Sequence, residues 1–407
     1  MPTPSSNLRR PRRLVTALAA FSVVLTLAAC GGDGSDNSTP DPGTRGSSTT
    51  RDGGSTSGSG DPEGSVGTFK TVKVATLDQP VAMAVRPGDD DLWAVERTGK
   101  ILRLTMDDDG NLEADGDPVL DLTAETTTDM ERGILGLAFS NDGGTLYLSY
   151  TDVDGNTVIA AYEITEDDSG PTVDADEAKV LLTQTQPYEN HNGGHLLVDG
   201  SGQLWLGLGD GGSGDDPENN AQDPDTLLGK LIKVDLSGDE EHEIVSLGLR
   251  NPWRFAIDPQ ERVMWIADVG QNAIEEVNRI ALDDLPGANF GWSGYEGNEP
   301  YLDGDGRRPE DPVMPVYTYT HEGQPGGCSV TGGVVYRGAE LAGLDGAYLI
   351  ADFCAGWVQA LLAAEDGTVK AVDLGIEVPG AASFASDADG RVYVLSLEGP
   401  VVRIDPA

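Results

Sequence analysis

Residues 203–207 read Gln203-Leu204-Trp205-Leu206-Gly207, a short apolar run centred on an aromatic residue and preceded by a turn rich in Asp and Gly. The same phrase recurs along the chain. Its copies are Asp91–Val95, Thr145–Ser149, Gln203–Gly207, Val263–Ala267, Gly346–Ile350 and Arg391–Leu395. The intervals between the copies are long enough for four short strands and their turns, which is the content of one propeller blade. The sequence therefore predicts an all-β fold, a six-bladed β-propeller.

Further apolar strands flank the repeated phrase. The strands predicted to open a unit are Val81–Val85, Ile134–Phe139 and Phe255–Ile257. Those predicted to close a unit are Gly99–Leu104 and Leu231–Val234. An array of β-sandwiches is the alternative fold. The units follow one another without linker-like breaks, which favours the ring.

Two further segments are expected to complete the ring. The early strand Lys70–Ala75 is expected to pair into the last blade, because a closed ring leaves no exposed sheet edge. The long interval between Trp265 and Tyr348 is expected to contain an inserted loop, Asp283–Cys328. Long loops on a rigid scaffold tend to line its functional face.

The N-terminal part of the chain has a different composition. Four arginines precede an apolar run, Leu14–Ala29, which ends in Leu27-Ala28-Ala29-Cys30. This pattern is typical of a lipoprotein signal peptide, residues 1–29, with Cys30 as the lipidation site. An ordinary cleaved signal with an incidental cysteine is the alternative. Residues 30–66 are rich in Gly, Ser, Thr, Asp and Pro and predict a flexible stalk, so the propeller is assigned to residues 67–407.

Charge and cysteine content limit the partners and the compartment. The chain has 69 acidic and 26 basic residues, a formal net charge of −43. Such a charge repels nucleic acid and anionic lipid headgroups, so no nucleic acid is expected as a partner and membrane contact is expected only through the lipid anchor. The protein is predicted to be exported and anchored to the extracytoplasmic face of the cell membrane. There a lone pair, Cys328 and Cys354, most simply forms one disulfide.

A polar turn with two histidines, Asn190-His191-Asn192-Gly193-Gly194-His195, leads into a strand that is followed by Gly209-Asp210-Gly211-Gly212. His191 lies among glycine and asparagine, where no apolar face exists to bury it. We predict that it is a catalytic base and that Asn190 orients its ring. His195 is expected to cap the strand.

A second candidate loop reads Gly248-Leu249-Arg250-Asn251-Pro252-Trp253-Arg254. A guanidinium at a loop tip can stabilise a developing oxyanion or clamp a carboxylate, because its charge persists at all relevant pH values. This role is favoured for Arg250. For Arg254, a functional role and a salt bridge to one of the many acids remain alternatives.

A third loop has the composition of a calcium site. In Asp268-Val269-Gly270-Gln271-Asn272, a glycine turn exposes consecutive carbonyls, and carboxylates follow a few residues later. Calcium binds several oxygens from flexible backbone and acidic side chains. The loop is therefore a candidate calcium site.

Together these phrases resemble the glucose/sorbosone dehydrogenase family over most of Thr68–Ala407. The phrases that resemble it are Arg132–Phe139, His191–Gly194, Leu208–Gly212, Gly229–Asp235, Gly248–Pro252 and Asn289–Trp292. The phrase Asp268–Asn272 is also similar to the propeller of hedgehog-interacting proteins, which bind a partner and do not oxidise a sugar.

The resemblance implies a mechanism that uses pyrroloquinoline quinone (PQQ) and Ca²⁺. His191 takes the proton from the anomeric hydroxyl of a sugar substrate, Arg250 stabilises the reduced quinone, and electrons pass to a respiratory acceptor. The residues implied to bind the cofactor are Glu131, Asp210, Arg250 and Asn251, and the predicted calcium ligands are Gly270, Gln271 and Glu276. Glu131 stands where the family has a glutamine, and Asn190 stands where its sugar oxidases have an acid.

The C-terminal third departs from the family pattern. Known members supply a lysine and arginines to the anionic cofactor there, whereas the matching stretches Asp352–Gly356 and Pro379–Phe384 contain no basic residue. Two functions therefore remain open at this point. One is a calcium-dependent PQQ sugar dehydrogenase, and the other is an extracellular propeller that binds glycan or protein and has lost the quinone.

Overall fold

The computed structural model describes residues 66–89, 91–167, 170–239, 241–304 and 306–407. The predicted signal segment, Cys30 and all but the last residue of the predicted stalk lie outside the described residues. Within the described ranges, no helix is long and apolar enough to cross a membrane. The regular structure there consists of strands and two short 3₁₀ helices, Ala175–Glu177 and Asn220–Gln222.

The strands form six sheets that follow one another along the chain. After β1 (Phe69–Thr76), blade 1 contains β2 (Pro80–Val85), β3 (Leu92–Glu96), β4 (Lys100–Met106), β5 (Leu112–Ala114) and β6 (Leu120–Asp121). Blade 2 contains β7 (Ile134–Phe139), β8 (Thr145–Thr151), β9 (Thr157–Asp167), β10 (Gly170–Val173) and β11 (Lys179–Gln184). Blade 3 contains β12 (Leu196–Val198), β13 (Leu204–Leu208), β14 (Lys230–Val234) and β15 (Glu243–Leu247).

Blade 4 contains β16 (Pro252–Asp258), β17 (Val263–Asp268) and β18 (Ile274–Ala281), and a separate hairpin follows with β19 (Tyr295–Glu296) and β20 (Glu299–Pro300). The fourth strand of blade 4 is β21 (Tyr317–Thr320). Blade 5 contains β22 (Val330–Thr331), β23 (Tyr348–Asp352), β24 (Trp357–Ala363) and β25 (Val369–Glu377). Blade 6 contains β26 (Ala381–Ser386), β27 (Val392–Ser396) and β28 (Pro400–Pro406), with β1 as its outer strand.

The six-bladed β-propeller predicted from the repeated phrase is confirmed. Each copy of the phrase forms the second strand of a blade, and its central aromatic residue is buried. These residues are Trp93, Tyr147, Trp205, Trp265, Tyr348 and Tyr393. The first strands of neighbouring blades contact one another at five of the six junctions, including that of β26 in blade 6 with β2 in blade 1, and at the junction of blades 3 and 4 β13 contacts β16.

The apolar side chains pack between the blades. The six hydrophobic clusters of the described residues each join two neighbouring blades. Trp93 of blade 1, for example, meets Phe139 of blade 2 edge to face, with 5.3 Å between the ring centroids. Each blade therefore buries its faces mainly against its two neighbours.

The ring is closed by the first strand of the fold, as predicted. β1 pairs antiparallel with β28, with Phe69 opposite Pro406 and Thr76 opposite Pro400. Val74 of β1 is 5% exposed and belongs to the cluster between blades 6 and 1. Closure thus joins the two ends of the propeller through one sheet.

Two strand predictions need correction. The segments Gly99–Leu104 and Leu231–Val234, predicted to close their units, overlap the third strands β4 and β14, and further strands lie outside them. The predicted inserted loop Asp283–Cys328 is not entirely a loop, because its residues Tyr317–Thr320 form the outer strand of blade 4. This outer strand is only four residues long and partly exposed, so its hydrophobic pattern is weak.

Arg254 connects three blades near the ring axis. It lies on β16 of blade 4, is 2% exposed, and donates to the Val81 carbonyl of blade 1 at 2.6 Å and to Ser383 Oγ of blade 6 at 3.1 Å. It also donates to the Trp253 carbonyl at 2.7 Å. Burial lowers its pKa to about 9. The sequence left a functional role and a salt bridge open for Arg254. Its contacts match neither, because they join blades of the fold and go to neutral oxygens.

We predict that Val74→Asp opens the ring, because it places a carboxylate in the apolar cluster that closes it. The expected loss is about 3–5 kcal/mol of the free energy of unfolding, measured by urea denaturation. Lys73→Asp is the matched control, because Lys73 is the preceding residue and is exposed. Equal losses in the two variants would contradict the closure argument.

Candidate active site

The loops predicted to form the site meet at one end of the ring. In an antiparallel blade, the start of the first strand and the end of the second strand lie at the same end. His191 precedes the first strand of blade 3, and Arg250 precedes that of blade 4. Asp210 follows the second strand of blade 3. Direct hydrogen bonds connect these side chains, so the structure brings them together as predicted.

A buried chain of polar contacts forms the centre of the site. Asp210 Oδ1 lies 2.7 Å from His191 Nδ1, and Arg250 donates to His191 Nε2 at 2.8 Å. A guanidinium can only donate, so Nε2 accepts this bond and the imidazole proton lies on Nδ1, where it is donated to Asp210. The three residues are 1%, 3% and 8% exposed, respectively. The arrangement orients an imidazole between a fixed carboxylate and a fixed cation.

Trp292 of the inserted segment fixes both charged ends of this chain. Its Nε1 donates to Asp210 Oδ2 at 2.8 Å, and the Arg250 guanidinium lies over its ring, 5.5 Å from the centroid. Arg250 also donates to the Val269 carbonyl at 2.7 Å and to Gln271 Oε1 at 3.3 Å. Sequence reasoning did not assign Trp292 a role. A signal was present, because the tryptophan lies in a glycine-containing polar segment.

Glu131 and Asn251 hold the backbone of the histidine turn. Glu131 Oε2 accepts from the His191 backbone N–H at 2.9 Å and from Asn251 Nδ2 at 3.2 Å. Asn251 Oδ1 in turn accepts from the Gly193 N–H at 3.2 Å. The residues implied to bind the cofactor are thus present in the site, and in this structure they position the histidine turn.

Asp268, which the sequence analysis did not assign, fixes the arginine loop. Its two carboxylate oxygens accept from the backbone N–H groups of Arg250 and Asn251 at 2.8 and 2.6 Å. Burial raises its pKa to about 7, although both hydrogen bonds act in the opposite direction. A buried acid at the end of β17 is therefore part of the structural support of Arg250.

Two histidine-turn predictions are resolved by these contacts. The prediction that Asn190 orients the His191 ring is wrong, because Asp210 is the ring's partner and Asn190 Oδ1 accepts from the Ser213 N–H at 3.0 Å. Asn190 ties two loops together. His195 lies within the fold, where its Nε2 is 3.0 Å from the Phe255 carbonyl, and burial lowers its pKa to about 3. His195 is structural.

Two of the three predicted calcium ligands line one small cleft. Gly270 and Glu276 line it, and the other residues that line it are Arg250, Asp268, Val269, Trp292, Tyr295 and Glu296. Glu276 lies opposite Asp268 on the paired strand, and burial followed by the Asp268 charge raises its pKa well above the ordinary value. Carboxylates and backbone carbonyls at this cleft are ligands of the type that calcium prefers.

The third predicted ligand, Gln271, makes a different set of contacts. Its side-chain amide bonds Asp215 and Arg250, and its backbone N–H donates to Glu296 at 2.9 Å. Glu296 Oε1 also accepts from the next three backbone N–H groups, those of 272–274, at 2.8–3.3 Å. The loop predicted to bind a cation therefore wraps its N–H groups around a carboxylate, which sequence reasoning did not foresee.

The inserted segment packs over the site. Tyr301 stacks on Trp292 with 5.5 Å between ring centroids, and its hydroxyl bonds Asp215. Arg307 donates to the carbonyls of Asp215 and Asp216 at 3.0 and 3.1 Å. As predicted, the long insertion lies at the end of the ring where the site residues meet.

The predicted disulfide between Cys328 and Cys354 is present, with 5.7 Å between the Cα atoms. Asp352, which is fully buried, accepts from the backbone N–H groups of both cysteines at 2.9 Å and from the Tyr319 hydroxyl at 2.6 Å. The covalent bond and a buried carboxylate therefore fix the same two segments.

Comparison with known proteins gives a family match. The family model described as glucose/sorbosone dehydrogenase matches residues 77–403. The HIPL1 protein of Arabidopsis thaliana is 27% identical over 402 residues, which cover 74% of this chain and 57% of that protein. The mouse Hedgehog-interacting protein is 28% identical over 218 residues, 45% of this chain and 30% of that protein. The chain thus spans little more than half of the HIPL1 protein and less than a third of the Hedgehog-interacting protein.

Solved structures show the same fold. The apo-form of the soluble aldose sugar dehydrogenase of Escherichia coli has a TM-score of 0.66 at 21% identity, over 84% of this chain and 100% of that one. The PQQ-bound form of the aldose sugar dehydrogenase from Streptomyces coelicolor has a TM-score of 0.61 at 19% identity, over 83% and 98%. At these identities the likeness establishes the propeller fold alone.

Asp216 generates a prediction about pH. It is 1% exposed and accepts from the N–H groups of Asn220 and Ala221, and burial, followed by the Asp210 charge, raises its pKa to about 6. Between pH 4 and 6 the unfolded chain loses a proton that the folded protein keeps, so this residue lowers stability as the pH rises. Relative to the wild type, Asp216→Asn should gain up to about 3 kcal/mol between pH 4 and 7.

Urea denaturation at both pH values measures this difference. Asp225→Asn is the control, since Asp225 lies on a neighbouring part of the same loop and is exposed. A difference from the wild type that is the same at pH 4 and pH 7 for Asp216→Asn would contradict the assignment.

Proposed function

Because the chain belongs to the glucose/sorbosone dehydrogenase family, we propose that it oxidises the C1 hydroxyl of an aldose or related polyol, with PQQ and calcium. The observation that carries this proposal is the buried Asp210–His191–Arg250 chain. It supplies an oriented base and a permanent cation beside it. General-base catalysis and stabilisation of an oxyanion need these two groups.

The donor set fits the quinone ring of PQQ, with calcium as the counter-charge for its carboxylates. Arg250 and Asn251 would hold the quinone oxygens, and the cleft at Gly270 and Glu276 would hold calcium next to them. The stretches Asp352–Gly356 and Pro379–Phe384 offer no basic side chain. Burying carboxylates without counter-charges costs several kcal/mol, so the bound calcium must offset most of that cost.

The chain's own residues would manage the proton. Bound PQQ supplies a two-electron acceptor for the C1 hydride, and the sugar leaves as its lactone. His191 Nε2 takes the proton of the C1 hydroxyl. Arg250 must first turn from Nε2 to an anionic oxygen, which frees the lone pair of the base. Asp210 keeps the other imidazole proton on Nδ1 and stabilises the imidazolium that forms.

A second function, a non-catalytic propeller that binds glycan or protein, is favoured by one observation. The C-terminal third presents Asp352 where basic residues would meet the cofactor, and this carboxylate is already saturated by hydrogen bonds. The relatives include a Hedgehog-interacting protein, whose name describes binding. A propeller with this function would retain calcium and would have lost the quinone.

We also propose that the protein works outside the cytoplasm, exported and lipid-anchored through Cys30, and that it passes electrons to a respiratory acceptor. The signal-like segment and the lipobox pattern in the sequence support export. The disulfide between Cys328 and Cys354 supports an oxidising compartment.

We predict that His191→Ala abolishes sugar-dependent dye reduction by the protein loaded with PQQ and calcium. Loss of a general base costs about 10²–10⁴-fold in turnover. His242→Ala is the control, since His242 lies in a turn of blade 3 and its Nδ1 accepts from the Asp235 N–H. Undiminished activity in His191→Ala would remove His191 as the base.

We predict that PQQ binding depends steeply on calcium, because calcium is the main counter-charge available. Quenching of tryptophan fluorescence by PQQ should report binding, and a chelator should weaken it by more than about tenfold. Absence of PQQ binding at any calcium concentration, together with retained calcium-dependent thermal stabilisation, would favour the binding propeller over the dehydrogenase.

A further inference from the structure

Arg97 lies in the turn between β3 and β4 of blade 1 and has no role in the site described above. Its Nη1 donates to three backbone carbonyls of one loop. These are the carbonyls of Thr128, Met130 and Arg132, at 3.3, 2.9 and 2.8 Å. The three carbonyls belong to alternate residues, so the Arg97 guanidinium binds the five-residue loop Thr128–Arg132 on its concave side.

Gln79 holds the guanidinium from the opposite side. Its Oε1 accepts from Arg97 Nε at 3.1 Å and from Nη2 at 2.7 Å, and its backbone carbonyl accepts from the Arg97 N–H at 3.0 Å. Within the described residues, Arg97 has no ion pair. The positive charge of Arg97 therefore interacts with the dipoles of neutral carbonyl groups. A permanent cation suits this task because its hydrogen bonds are about twice as strong as those of a neutral donor.

The aliphatic part of Arg97 also contacts the loop. Gly133 follows the loop with φ +147°, and a Cβ at this position would lie 2.4 Å from Arg97 Cγ and 2.6 Å from its carbonyl oxygen. The chain can approach Arg97 this closely only because residue 133 lacks a side chain. The guanidinium and the aliphatic part of Arg97 together fix the conformation of the loop.

Glu131 lies in this loop, between Met130 and Arg132, whose carbonyls Arg97 holds. The backbone from which the Glu131 side chain extends is therefore fixed on both sides. Its Oε2 accepts from the His191 N–H at 2.9 Å and from Asn251 Nδ2 at 3.2 Å. The contacts run without interruption from blade 1, through Arg97 and Glu131, to the turn that holds the histidine.

We propose that Arg97 is a positioning residue: it fixes Thr128–Arg132 so that Glu131 holds the backbone of the His191 turn and the side chain of Asn251. The effect on turnover rests on the proposed function, whereas the effect on the His191 turn does not. Loss of Arg97 leaves the strands of blade 1 paired, because its side-chain bonds go to loop carbonyls and to Gln79.

The test compares Arg97→Met, which keeps the stem and removes the donors, with Arg97→Lys, which keeps one charged donor. Hydrogen exchange of the His191 amide reports its bond to Glu131 directly. In Arg97→Met it should become about 10- to 100-fold faster, since a hydrogen bond to a charged group is lost. Amides of residues 128–132 should also exchange faster, and Arg97→Lys should restore part of the protection.

In the protein loaded with PQQ and calcium, kcat should fall about 10- to 100-fold in Arg97→Met, with a smaller change in KM, because the base is displaced. Arg103→Met is the control. Arg103 lies in the same blade but pairs with Asp91 and Asp115, away from the loop. It should change neither His191 exchange nor kcat.

Two outcomes would overturn the proposal. One is unchanged exchange of the His191 amide in Arg97→Met. The other is an equal increase in Arg103→Met, which would show a general loosening of blade 1. If the wild type lacks turnover, the dehydrogenase function fails, while the exchange result still decides the role of Arg97.

Discussion

Among the residues that the structure describes, no blade of this propeller has a hydrophobic core of its own. Each of the six apolar clusters among the described residues is shared by two neighbours, so a blade removed from the ring would expose both of its faces. The pairing of β1 with β28 completes blade 6, so the interface between blades 6 and 1 is a shared apolar cluster like the other five. Because loops at one end are attached to strands that cannot separate, their tips keep fixed distances from each other.

The candidate site depends on this rigidity because it assembles charges in a buried place. Asp210 and His191 come from blade 3 and Arg250 from the entrance to blade 4, and all three are at most 8% exposed. Water would otherwise solvate each of them separately. The scaffold offsets that loss with hydrogen bonds: Trp292 bonds Asp210 and lies against the Arg250 guanidinium, while Asp268 and Glu131 hold the backbone N–H groups of Arg250 and His191.

The sequence predicted what local patterns encode. A short apolar run centred on an aromatic residue predicted the second strand of all six blades, and the need to cover sheet edges predicted closure by β1. His191, Asp210 and Arg250 were found because they adjoin strands whose ends had to meet. The roles of Asp268, Glu296 and Trp292 were not predicted. They act from separate loops, and among 69 acids a single carboxylate gives no signal.

The wrong role for Asn190 has a physical cause of the same kind. The prediction assumed that residues adjacent in the chain act on each other, but His191 has a left-handed backbone (φ +55°) and the two side chains bond different partners. The partner of the His191 ring therefore comes from the next loop, and Asn190 bonds a backbone N–H of that loop. Hydrogen-bond partners across loops follow from the fold and not from the local sequence.

The contact between Arg250 and His191 Nε2 bears on the order of events in the proposed reaction. A neutral sugar hydroxyl is a poor competitor for a guanidinium that already has three acceptors, whereas an anionic oxygen is a strong one. The base therefore remains engaged until an anion draws Arg250 away. In a dehydrogenase of this design the anionic cofactor has to bind before the sugar. In a binding propeller without cofactor, the same contact keeps the imidazole engaged with Arg250.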